Sequence, residues 1–187
     1  RLSFSCEPKL ISTLLRLADR VSYVTAAVAM VMILGLVTAM LYEVGARYIF
    51  NAPTIWAYDV SYMLNGALFV MAAGLALAKN NHVRIDFLSS RLTISTQHKI
   101  NAVFYIVLFL PALGFVARSS ILAAWGALIS GEVEAISPWA PVIWPFNTAI
   151  AVGLCALWLQ ALAEAVRHVV GIIDNNAVRA PGASLPH

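Results

Sequence analysis

Residues 47–86 read RYIFNAPTIWAYDVSYMLNGALFVMAAGLALAKNNHVRID, and the fold is decided in this stretch. It leaves one apolar segment, turns, crosses a second and ends in a basic loop. Pro53 disfavours helix at Ala52, and Asn51 suits a turn. Trp56 and Tyr58 stand where an aromatic interfacial belt would place them. Val60 to Ala78 is then 19 residues without a charge. As a helix that run is about 28 Å long, close to the roughly 30 Å of a bilayer's hydrocarbon core. It is rich in small residues, among them Gly66, Gly74 and Ala78, which let helix backbones approach closely in lipid.

Outward from this stretch the pattern repeats. Val21–Tyr42 is an uncharged run of 22 residues, and Glu43 and Arg47 follow it at i and i+4 on one helix face. Ile100–Ala117 is a third run, with Pro111 expected to kink it and Arg118 to snorkel to the interface. An uncharged continuation to Gly131 leaves room for a longer or tilted helix. A fourth run spans about Ala140–Ala163, with Ser137-Pro138 resembling its cap and first turn. Gly153, Ala156 and Gln160 share one face of it, suited to packing on another helix. Residues 7–21 place Leu10, Leu14, Leu17 and Val21 on one face and Lys9, Arg16 and Arg20 on another. That is an amphipathic interfacial helix on anionic phospholipid, or else an extension of the first span. No cleaved signal peptide is expected, because the apolar run that follows is too long.

Composition agrees. The 187 residues are 61% hydrophobic and 11% charged, with mean hydropathy +0.82, too apolar for a soluble surface. The fold class expected is an all-α integral membrane protein: one four-helix transmembrane domain over 1–173 and a disordered tail over 174–187. Lys and Arg number ten in the N-terminal segment, the 79–99 loop and the C-terminal segment, against Arg47 and Arg118 elsewhere. That asymmetry places both termini in the cytoplasm. The positives are spread as in a membrane protein, so the net charge of +3 does not indicate nucleic-acid binding. Cys6 and Cys155 fall at different depths, which argues against a disulfide or shared metal site.

The chemistry is sparse. On these boundaries no Asp, Glu, Lys or Arg lies near the middle of a span, as ion and proton pathways usually require. Thr25, Thr38, Asn65, Thr148 and Gln160 are the polar groups inside, with Asn65 and Gln160 expected to hydrogen-bond across helices. His82, His98, His168 and His187 all lie outside haem-ligating depth, so no cofactor is expected. Glu43, Asp59, Glu132 and Glu134 are better explained by interfacial solvation than by catalysis, so no enzyme is expected. Two function classes remain: a subunit of a secondary transporter, or a stand-alone four-helix electron carrier or assembly factor.

The spacing R-Y-x-F-N-x-P-x-x-W-x-x-D, followed by a small-residue span and H-V-R-I-D, resembles the small membrane subunit of tripartite ATP-independent periplasmic (TRAP) transporters, the DctQ family. Arg47, Tyr48, Asn51, Pro53, Trp56, Asp59, His82 and Asp86 carry the resemblance. Tyr58 and Tyr62 stand where the family often has an acid and an arginine, and Asn81 replaces a common glycine. The resemblance implies a bacterial inner-membrane complex in which a periplasmic binding protein captures an organic acid. A large membrane subunit then carries it, usually coupled to sodium, while the small subunit braces that partner. On this reading Arg47, Pro53, Trp56 and Asp59 form an outer corner that positions the partners. Arg47 and Asp59 could pair across the turn. His82, Arg84 and Asp86 anchor the inner loop to phospholipid headgroups or to the large subunit.

Overall fold

The computed structural model describes residues 9–79 and 103–173. The 79–99 loop beyond Lys79, with His82, Arg84 and Asp86, lies outside the described residues, as do Cys6 and the tail 174–187. Helix α1 runs Lys9–Tyr48 and α2 runs Ala57–Ala78. A π-helical segment, Phe104–Phe109, continues directly into α3, Leu110–Ser130, and α4 runs Trp144–Ile173. Among the described residues, four helices are long and apolar enough to cross a membrane. Their large apolar residues stand exposed, among them Leu34, Phe69 and Ile129, as a lipid-facing surface requires.

The amphipathic segment is not a separate helix. α1 continues through it without a break, for 40 residues. At about 1.5 Å per residue α1 is about 60 Å long, twice the hydrocarbon thickness. The third span is also longer than the run ending at Ala117. Arg118 does not stop it, because arginine is a good helix former. The helix instead ends at Gly131, whose φ of 64° is the left-handed conformation that glycine adopts freely. Pro111 follows a π turn in which the Leu110 N–H reaches back five residues to the Tyr105 carbonyl.

α1 packs on α2, α2 on α4 and α4 on α3, with a smaller α1–α4 contact. α3 is thus a flank helix. In the apolar window of its span 6% of residues are buried, against 50% for α4 at the centre. Small residues set the spacing of this row. A Cβ on Gly153 of α4 would lie 2.9 Å from Val70 Cγ1 and 3.0 Å from the Met71 backbone nitrogen. One on Gly74 would lie 3.2 Å from Ser22 Oγ, and one on Gly66 would lie 3.0 Å from the Phe146 ring. Ala156 is buried in the same row, and Ala78 is half-buried at the end of α2.

Candidate functional site

The corner after α1 is built on Glu43. Its carboxylate accepts from Arg47 Nε at 3.0 Å and from the Thr54 backbone N–H at 3.0 Å, and also from the Thr54 hydroxyl. One carboxylate therefore ties the last turn of α1 to the chain that leads into α2. Asn51 makes the reversal with φ 51°, and the Ala52 N–H returns to the Ala46 carbonyl at 2.9 Å. Asparagine tolerates this left-handed position better than most residues. Pro53 is exposed in the turn, and Trp56 stacks on Tyr42 with ring centroids 5.5 Å apart.

Asp59 faces a different partner. It is buried in the first turn of α2 and accepts from the hydroxyl of Ser137. Ser137 Oγ also accepts the Trp139 N–H at 3.1 Å. Arg47 therefore pairs with Glu43, and the Arg47–Asp59 pair is not formed. The i, i+4 geometry within α1 brings Glu43 closer than a residue across the turn. Ser137-Pro138 belongs to a turn in the 131–143 connection, and α4 starts only at Trp144. The connection closes on itself through Glu134 N–H to the Pro141 carbonyl, 2.9 Å, and Ile143 N–H to the Glu132 carbonyl, 3.1 Å.

At the opposite end of the helices lies a polar cluster spread over two chain segments. Arg167 Nη2 is 2.8 Å from both carboxylate oxygens of Asp19, and Nη1 donates to Glu164. Gln160, fully buried, donates to Asp19 at 3.2 Å and accepts from Ser22 at 2.9 Å. These bonds satisfy buried groups that would otherwise be costly in an apolar layer. Gln160 thus bonds across helices as expected. Asn65 does not; it is exposed and makes no hydrogen bond among the described residues. Thr38 and Thr148 bond to carbonyls of their own helices.

A family model for the DctQ component of tripartite ATP-independent periplasmic transporters matches residues 36–171, well over half of the chain. The chain belongs to the DctQ family. Comparison with curated proteins gave no match. The matched region takes in the Glu43 corner, all of α2 and α3, and Gln160, Glu164 and Arg167 of the polar cluster. As a DctQ component the chain is a multi-pass membrane protein of a transport system.

Arg118 lies in the interior of the span Phe104–Ser130 and is exposed there, so the uncharged continuation to Gly131 belongs to one longer helix. The Asp19–Arg167 clamp is what sequence reasoning missed. Asp19 and Arg167 are 148 residues apart, and no local pattern announces such a pair.

Proposed function

We propose that this chain is the small permease subunit of a TRAP-type secondary transporter in a bacterial inner membrane. It braces the large membrane subunit, which takes up an organic acid delivered by a periplasmic binding protein and driven by an ion gradient. Both termini lie in the cytoplasm, and the Glu43–Asp59 corner faces the periplasm. Solute binding and sodium coupling belong to the large subunit.

The observation that carries this reading is where the polar groups are used. Glu43, Asp59, Gln160 and Arg167 each bond to another segment of this chain, tying turns and helices together, and Glu164 braces Arg167 within α4. That is the chemistry of a rigid support, and charge held in such locks is not available to a moving solute. Arg47, Pro53 and Trp56 sit at the partner end of the support, and the inner loop with His82, Arg84 and Asp86 anchors the other.

The test is reconstitution. The chain is co-expressed with the large membrane protein and the secreted binding protein encoded beside it, and purified through a tag on the small chain. Co-purification of the large protein, and uptake into proteoliposomes that needs all three, is the expected result. Recovery of the small chain alone, with uptake by the other two unaffected by its omission, rejects the reading.

A further inference from the structure

We infer that the exposed face of α3 seats a helix of the large membrane subunit, and that Arg118 pairs there with a carboxylate on that helix. The inference rests on the subunit reading above and names the surface it would use.

Two observations meet on this face. The first is a charge without a counter-ion. Arg118 is exposed and has no hydrogen-bond or ion-pair partner among the described residues. It lines a groove with Cys155 of α4. Gly153, two residues before that cysteine, touches Val70 and Met71, and Ala156, one residue after it, faces Gly74. Arg118 is therefore level with the α2 residues some four to eight positions before Ala78. At about 1.5 Å per residue that is about 6–12 Å inside the end of α2. Helical side chains lean toward the N-terminus, so Arg118 can lean outward, but its guanidinium still needs an anion.

The second observation is a run of small residues, Ser119, Ala123, Gly126 and Ser130, on the exposed side of α3. Arg118, Leu122, Gly126 and Ser130 succeed one another at i+4, and all are exposed. Ser119 and Ala123 form the next row and are exposed too. A Cβ on Gly126 would meet nothing within 4 Å. Glycine inside a helix costs stability relative to alanine; Gly66, Gly74 and Gly153 each admit a neighbour, whereas Gly126, like Gly45 in the last turn of α1, meets nothing within 4 Å. Gly126 leaves its space on the outside. Lipid chains gain little from a small-residue face, whereas a second helix can approach it closely. The charge calls for an anion, and the small row calls for a helix. A transmembrane helix of the large subunit with an Asp or Glu at matching depth supplies both.

The experiment uses the intact complex co-purified through the small chain. A photo-reactive benzoylphenylalanine is placed at Leu122 on this face, or at Leu34, exposed on α1. Adducts with the large subunit are expected from Leu122 and not from Leu34. R118E and G126L should each lower recovery of the large subunit by about tenfold or more, with R118K and G126A close to wild type. The small chain of each variant should still elute as a folded species. Adducts from Leu34 alone, with G126L recovered as wild type, overturn the proposed face while leaving the subunit reading intact. Adducts from Leu122 with R118E and R118M both at wild-type recovery overturn the carboxylate pairing and assign Arg118 to lipid phosphate. A wild-type small chain that recovers no large subunit removes the subunit reading itself.

Discussion

Arg167 of α4 holds Asp19 of α1 across the bundle, with Nη2 2.8 Å from each carboxylate oxygen. The two side chains are 25% and 36% exposed, so water partly screens the pair. Arg167 also donates to Glu164, which is buried at 5% exposure. Removing the guanidinium leaves two carboxylates facing each other. R167M should destabilise the protein by about 2 kcal/mol, between the values for exposed and fully buried pairs. R167K should fall between R167M and wild type, because a lysine cannot present the same planar fork. Thermal unfolding in a fixed detergent reads this order, and an R167M midpoint equal to wild type would contradict it.

The glycines of the helix row rank themselves by what an added methyl would strike. At Gly153 it meets backbone atoms of Met71 and Val70, which cannot rotate away. G153A should therefore cost about 1–3 kcal/mol as α2 and α4 are forced apart. At Gly74 it meets the Ser22 hydroxyl at 3.2 Å, a group already engaged by Gln160. G74A should cost less than G153A. G126A, whose methyl meets nothing, should unfold at or slightly above the wild-type temperature. The same unfolding assay checks the series, and G153A as stable as G126A would refute the close α2–α4 approach.

Ser137 and Asp59 join the 131–143 connection to the first turn of α2 across 78 residues of sequence. Asp59 is 5% exposed, and an unsatisfied buried acceptor costs about 1–3 kcal/mol, more when charged. S137A should loosen the connection without unfolding the helices. Hydrogen exchange should rise at Trp139, whose N–H donates to the lost hydroxyl, and stay unchanged in the middle of α2. Uniformly faster exchange along the chain would mean that the contact supports the whole fold rather than this loop.

The four helices were legible because each carries an uncharged run that a bilayer demands, and the small residues of α2 and α4 marked which faces meet. Glu43 and Arg47 were legible because four-residue spacing puts them together. Charge marks where an uncharged run stops, not where a helix stops. The run expected over Ile100–Ala117 is bounded by Arg118, and the longer helix that the continuation to Gly131 allows is the one that forms, ending where its backbone turns at Gly131. Asp19 and Arg167 stand 148 residues apart, and their meeting depends on how α1 and α4 cross. The same limit hid Ser137 from Asp59. A carboxylate near a turn has several donors within reach, and tertiary packing selects one.

The corner offers a direct choice between two pairings open to Arg47, with Glu43 along the helix or with Asp59 across the turn. Arg47 donates to Glu43 within α1, while the other carboxylate oxygen of Glu43 accepts from Thr54. R47E should place two acids at i and i+4 and weaken the turn. Adding D59R should not restore it, because Asp59 faces Ser137 instead. The swap E43R/R47E should restore the ion pair but not the Thr54 bonds, so recovery should be partial. E43Q should remove the charge while keeping an acceptor for Thr54, and it should be milder than E43A. Limited proteolysis between residues 49 and 55 follows the corner directly, with cleavage rates ordered R47E, then E43R/R47E, then wild type. A return to the wild-type rate in R47E/D59R would show that Arg47 and Asp59 interact after all.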